Sequence, residues 1–216
     1  MKIEQCEYPD SLLYDVDAGT WAQETDGKFR VGIAPHFGLF AGGFTAVSLK
    51  EPGTWVEMGK SIGSAESPRH FDVVRAPFDC VVVEVNSRLP QAPGLANRSP
   101  YGEGWFAIVK RTGGSSMLVG ISKARDKIAE HIRRRGVKCF AEFPDVEMVE
   151  VGSECATTLP RLNELLKGMK AGFVVHLVTD DPTSTTELGR WEKITGNLIV
   201  ETRREGDVIH FVLKKR

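Results

Sequence analysis

No stretch of the 216 residues approaches the roughly 20 consecutive apolar positions that a bilayer-crossing helix needs, and the opening MKIEQCEYPDSLL lacks the apolar segment of a secretory leader. The expectation is a soluble, cytoplasmic chain with no membrane partner. Excess charge is also missing. Lys+Arg 28 against Asp+Glu 29 leaves a formal net charge of -1, too little field to gather nucleic acid, so nucleic acid is not an expected partner. The four cysteines, Cys6, Cys80, Cys139 and Cys155, form no CxxC pair, which argues against a structural zinc site or a disulfide framework. They are expected to be free thiols, and no residue is assigned to a metal. No repeat and no low-complexity tract is present, and no nucleophile, base and orienting group stand together as a stand-alone enzyme would need.

What is present divides the chain. Up to about Lys110, short β-type runs such as KFRVGIA, FTAVSLK, CVVVEVN and WFAIVK alternate with Pro, Gly, Asn and Asp clusters, the pattern of an all-β domain over residues 1–112. The segment 113–140 reads as a Gly/Ser-rich break, RTGGSSM, and then a connector helix, with Ile121, Ile128 and Ile132 on one face and Gly136 at its end. Residues 141–216 follow the order β-α-β-α-β-β, with Leu159, Leu162, Leu166 and Met169 at helical spacing. Two helices laid on one face of a four-stranded sheet complete an α+β two-layer sandwich.

The first domain carries denser motifs. ESPRHFDVVRAPFDCVVVEVN followed by PGLANRSPYGEGWFAIVK resembles the H protein of the glycine cleavage system, whose pattern runs Glu-Ser-x-Lys, Ala-Pro, Val-Val-Glu-Val-Asn and Pro-Tyr-Gly-Glu-Gly-Trp. The resemblance covers about residues 9–110. It implies a barrel-sandwich hybrid of the lipoyl type, with a hairpin tip whose lysine becomes lipoyl-lysine and ferries an aminomethyl group between enzymes. Here that position is Arg69, and a guanidinium stays protonated below a pH of about 12, so it is no acceptor for an acyl group. Lipoate is therefore expected to be absent. Arg69 and His70 admit two readings: a solvated loop tip, or an anion-binding pair. In PYGEGW, Gly102 and Gly104 serve a turn while Tyr101 and Trp105 close the barrel end.

A second resemblance rests on VGSECATTLPRLNELLKGMKAGFVVHLVTDDPTSTTELGRW, where Gly152, Cys155, Gly172, Asp180, Asp181, Pro182, Glu187, Leu188 and Trp191 fall in the order found in TusA/SirA-like sulfur carriers. Ala156 and Thr158 replace the two prolines of that pattern. The resemblance implies a cysteine, Cys155, that holds and transfers persulfide sulfur. Placed before a helix expected to begin near Thr157 to Leu159, its sulfur faces unpaired N–H groups that favour thiolate, while Glu154 opposes this and Thr157 or Thr158 is available as the cap. Cys139 is a candidate resolving thiol or a buried core residue. Asp180 and Asp181 read as turn and cap formers, and His176 and His210 as sheet residues. Together the resemblances imply a carrier with at most sulfurtransferase-type activity. It would work with protein partners of a sulfur-transfer or lipoyl-dependent pathway. The alternative is a non-covalent scaffold that docks on lipoyl or glycine-cleavage-type enzymes.

Overall fold

The computed structural model describes all residues, 1–216, as two compact units, Met1–Cys139 and Phe140–Arg216. The first unit runs β1 (Lys2–Ile3), β2 (Cys6–Glu7), β3 (Leu13–Asp15), β4 (Thr20–Thr25), β5 (Lys28–Ile33), α1 (Pro35–Ala41), β6 (Ala46–Leu49), β7 (Trp55–Val56), β8 (Ser61–Glu66) and β9 (Phe71–Arg75). It continues with β10 (Asp79–Val85), α2 (Leu95–Arg98), β11 (Ala107–Gly113), β12 (Val119–Gly120) and α3 (Ile121–Arg135). A seven-stranded sheet, ordered β12-β3-β4-β5-β11-β10-β7, accompanies a three-stranded sheet β6-β8-β9 and a small β1-β2 hairpin. Alternation along the strands sends Val31, Val82, Ala107 and Val109 into one apolar cluster with Phe29 and Phe78.

Helix α3 is not a connector. Ile121, Ala124, Ile128 and Ile132 line one stripe that packs with Tyr8, Leu12, Tyr14 and Trp21 in the first unit's own core. The division between units follows Cys139, and Gly136 caps α3 in the left-handed conformation, as its place after the last isoleucine indicates. Periodicity alone cannot tell a linker helix from a core helix. Helix α1, begun by Pro35 at its first position, also interrupts what reads in the sequence as an all-β run.

The cysteines differ from expectation as well. Cys6 and Cys139 form a disulfide that spans 133 residues of sequence, with Cα atoms 5.0 Å apart. Cys6 is thus not a quiet thiol, nor is Cys139 a partner for Cys155. Spacing gave no sign of the bond because it is made by the return of β1-β2 onto the end of α3. Cys80 is a free thiol, as expected, and fully buried, with burial and the neighbouring Asp79 pushing its pKa up to about 11.

The second unit consists of β13 (Val146–Glu150), α4 (Cys155–Lys167), β14 (Val174–Thr179), α5 (Ser184–Thr195), β15 (Leu198–Glu205) and β16 (Val208–Lys214), the order its pattern indicates. The sheet is ordered β13-β14-β16-β15, with β13 parallel to β14 and the other pairs antiparallel. Val175, Leu177, Ile209, Phe211 and Leu213 point from one sheet face to Leu162 and Leu166 of α4 and Leu188 and Trp191 of α5. The indole N–H of Trp191 donates to Asn163 Oδ1 at 2.7 Å, which fastens the two helices together. His176 and His210 lie on the other face, buried and hydrogen-bonded to each other at 2.9 Å.

Candidate functional site

Strands β8 and β9 form an antiparallel hairpin whose register ends at Glu66 opposite Phe71, leaving Ser67, Pro68, Arg69 and His70 as its tip. The tip is built by Ser67. Its hydroxyl donates to Ala41 O at 2.8 Å and accepts the backbone N–H groups of Arg69, at 3.3 Å, and His70, at 3.0 Å. Pro68 holds φ at the turn. Arg69 and His70 are both exposed, but their side chains differ in company. His70 stands edge-on to Phe40, with ring centroids 5.2 Å apart, and 3.8 Å from the Asp72 carboxylate. No lysine lies anywhere between Ser61 and Arg75.

Cys155 occupies different ground from that expected. Helix α4 begins at the cysteine itself, and Thr157 and Thr158 do not cap it; their hydroxyls donate back to Glu154 O at 2.8 and 3.3 Å. The cap comes from the β14-α5 loop: Asp181 Oδ2 accepts the Cys155 N–H, and Asp180 Oδ1 accepts the Gly152 N–H at 2.8 Å. The two aspartates are therefore turn and cap formers. The first amide of the helix, one of those that should favour thiolate, already faces a carboxylate. Burial, followed by the Asp181 and Glu187 charges, pushes the Cys155 thiol above its ordinary pKa, and the residue is only 4% exposed. The opposing acid is Asp181, across space, not the neighbouring Glu154. The earlier helix start also puts Pro160 inside α4 instead of its first turn, and the helix ends at Lys167 before Met169.

PYGEGW closes one end of the first unit. Tyr101 packs against Trp21, ring centroids 5.7 Å apart, and its hydroxyl donates to Glu7 O at 3.0 Å. A side chain at Gly104 would lie 2.5 Å from Leu95 O and 2.7 Å from Ala96 Cα, so close backbone approach, not turn freedom, demands the glycine. A nearby surface cleft of about 460 Å³ is lined by Arg30, Glu84, Asn86, Arg88, Glu103 and Trp105. Arg88 and Glu103, on its lining, pair with each other at 3.0 Å.

The sequence profile described as "Glycine cleavage H-protein" matches residues 12–131, more than half of the chain. The chain belongs to the glycine cleavage H-protein family. Among its relatives, "Glycine cleavage system H protein 5" of Aquifex aeolicus is 36% identical over 145 residues, covering 64% of this chain and 98% of the relative. "Probable glycine cleavage system H protein 2" of Sulfurisphaera tokodaii is 34% identical over 142 residues, 63% of this chain and 96% of the relative. The crystal structure of a glycine cleavage system H protein from Mycobacterium marinum aligns with a TM-score of 0.50 and 28% identity, over 60% of this chain and all of the other. The H-protein match thus takes in the β8-β9 hairpin and most of α3, while the unit Phe140–Arg216 lies outside it.

Within this H-protein unit, residues that the motifs did not single out gather behind the hairpin. His36 on α1, His131 and Arg135 on α3 and Asp72 on β9 each have a buried polar atom without a hydrogen-bond partner. No motif carries them, because three elements far apart in sequence supply them; a polar residue breaking an apolar helical stripe, as His131 does beside Ile128 and Ile132, is the one signal the sequence holds.

Proposed function

We propose that this chain is a glycine cleavage H-protein-like component that bears no lipoyl group and acts by non-covalent docking on enzymes of a lipoyl-dependent pathway. The observation that carries this reading is Arg69 at the tip of the β8-β9 hairpin, on a hairpin without lysine. A protonated guanidinium is not acylated under the conditions that acylate a lysine amine. Exposed Phe71, at 57%, and Phe40, at 41%, flank the tip and give a partner apolar surface to bury. The chain's net charge of -1 supports protein partners over nucleic acid or an anionic membrane.

Intact mass after co-expression with a lipoate ligase tests it. The native chain should gain no adduct, and Arg69→Lys should gain one; an adduct on the native chain would overturn the proposal.

A second reading takes residues 141–216 as a TusA-like sulfur carrier with Cys155 as the carrier thiol, supported by the β-α-β-α-β-β order and by Cys155 standing at the start of α4. Its step is attack of Cys155 thiolate on the outer sulfur of a donor persulfide, with the donor cysteine leaving as thiolate. Burial of Cys155 and its raised pKa weigh against this, so the docking reading is preferred. A cysteine desulfurase with its substrate should leave Cys155 without added sulfur by peptide mass; a persulfide at Cys155 would reverse the preference.

A further inference from the structure

Arg135 lies in the last turn of α3, its guanidinium 4.2 Å over the ring of Phe37 and 5.3 Å from that of Phe40, and its buried Nη1 has no hydrogen-bond partner. One turn earlier on the same helix face, His131 is 7% exposed, and its Nδ1 is buried without a partner. His36 on α1 is 1% exposed and stands 6.3 Å from His131 between ring centroids. Its Nδ1 meets the Tyr8 hydroxyl at 2.7 Å, while its Nε2 has no partner. These rings are contiguous. His36 is 4.8 Å from Phe37, Phe37 carries Arg135, Arg135 reaches Phe40, and Phe40 reaches His70 at the exposed tip.

Buried polar atoms in folded proteins nearly always have partners, so several on one array call for a common one. A guanidinium only donates, and a His36 whose Nδ1 accepts the Tyr8 proton donates from Nε2. The common partner is therefore an acceptor, and planar acceptors of charge opposite to guanidinium are carboxylates and oxyanions.

We propose that Arg135, His36 and His131, behind the hairpin tip, form a binding site for a carboxylate or small oxyanion.

Other charged groups face the array. Asp72 approaches Arg135 without forming an ion pair, and its Oδ2 is also buried and unpartnered. Burial raises the Asp72 pKa, with His70 and Arg135 opposing. Arg135, Arg134 and Lys127 disfavour a charge on His131 and Asp17 favours it. The ligand is either a free small acid or a carboxylate of a docked protein. The chemistry is the same for both, and the site does not depend on the lipoylation state of the chain.

The full chain is titrated with acetate, with inorganic phosphate and with a short peptide ending in a free Glu carboxylate, against chloride at constant ionic strength, by calorimetry and by imidazole ¹⁵N shifts. One-site saturation is expected, with His36 and His131 resonances moving. Arg135→Gln should weaken binding at least tenfold, and Arg135→Lys should restore part of it. Acetate or phosphate binding assigns a free acid, and binding of the peptide alone assigns a partner's carboxylate; either supports the site. Unmoved His36 and His131 resonances with all three probes overturn it, as does equal affinity in a folded Arg135→Gln chain. The imidazole readout on the native chain decides the matter even if that variant does not fold.

Discussion

At the scale of single residues, the chemistry of this chain is set by what surrounds a side chain more than by its type. Cys155 and Arg69 both follow polar residues in the sequence, yet one is buried beneath a carboxylate cap and the other stands in solvent. His36 shows the same rule through its proton. Burial first, then the Arg135 and His131 charges, lowers its pKa to about 3. The folded chain thus refuses a proton that the unfolded chain takes up below about pH 6.5, so this histidine's contribution to stability is present above that pH and is lost as pH falls from there towards about 3. The loss should run at about 1.4 kcal/mol per pH unit for one proton. Asp72 and Asp15, whose carboxyl pKa values are raised by burial, work in the opposite sense at the acid end. Urea unfolding of the native chain and His36→Gln therefore should differ in slope, the variant retaining about 2.5 kcal/mol more of its own neutral-pH stability two pH units below about pH 6.5. Parallel curves would remove His36 from the account.

Single elements owe their limits to partners that lie outside them. Helix α4 starts at Cys155 because the Asp181 carboxylate, 26 residues further on, accepts its first amide. The hydroxyls that mark a later start in the sequence, Thr157 and Thr158, are spent on Glu154 O. The PYGEGW turn owes its second glycine to α2, whose Leu95 carbonyl and Ala96 Cα leave no room for a Cβ. Gly104→Ala should accordingly cost about 2–3 kcal/mol through displaced backbone. Gly27→Ala, at a position with open space but a positive φ of 71°, should cost about 1 kcal/mol. Chemical denaturation of the two variants orders them, and a Gly104→Ala chain as stable as the native one would show that α2 gives way.

The first unit as a whole is fastened by a bond that no motif announces. The Cys6–Cys139 disulfide joins the β1-β2 hairpin to the last residue of the unit. Closing a loop of 133 residues restricts the unfolded chain by about 5 kcal/mol on the loop-entropy relation. A dithiol reductant or Cys6→Ala should therefore lower the Tm of this unit by roughly 10 °C or more, read by calorimetry, while leaving the unfolding of Phe140–Arg216 in place. A Tm indifferent to reductant would mean that the two thiols are not joined. No helix of the chain is long and apolar enough to cross a membrane.

Local sequence sufficed wherever the physics is local. Strand alternation, the Gly136 cap, the β-α-β-α-β-β order and the arginine at the hairpin tip are fixed by neighbours in the chain, and all can be read from it. So can the H-protein motifs, which lie within residues 12–131 of the family match. Long-range placement decided the rest: α3 as core, Cys6 against Cys139, Asp181 over Cys155, and the His36, His131 and Arg135 array behind the tip. Hydrogen bonds, disulfides and desolvation depend on distance in space, and a periodic pattern along the chain holds no record of which distant residue will supply the other half.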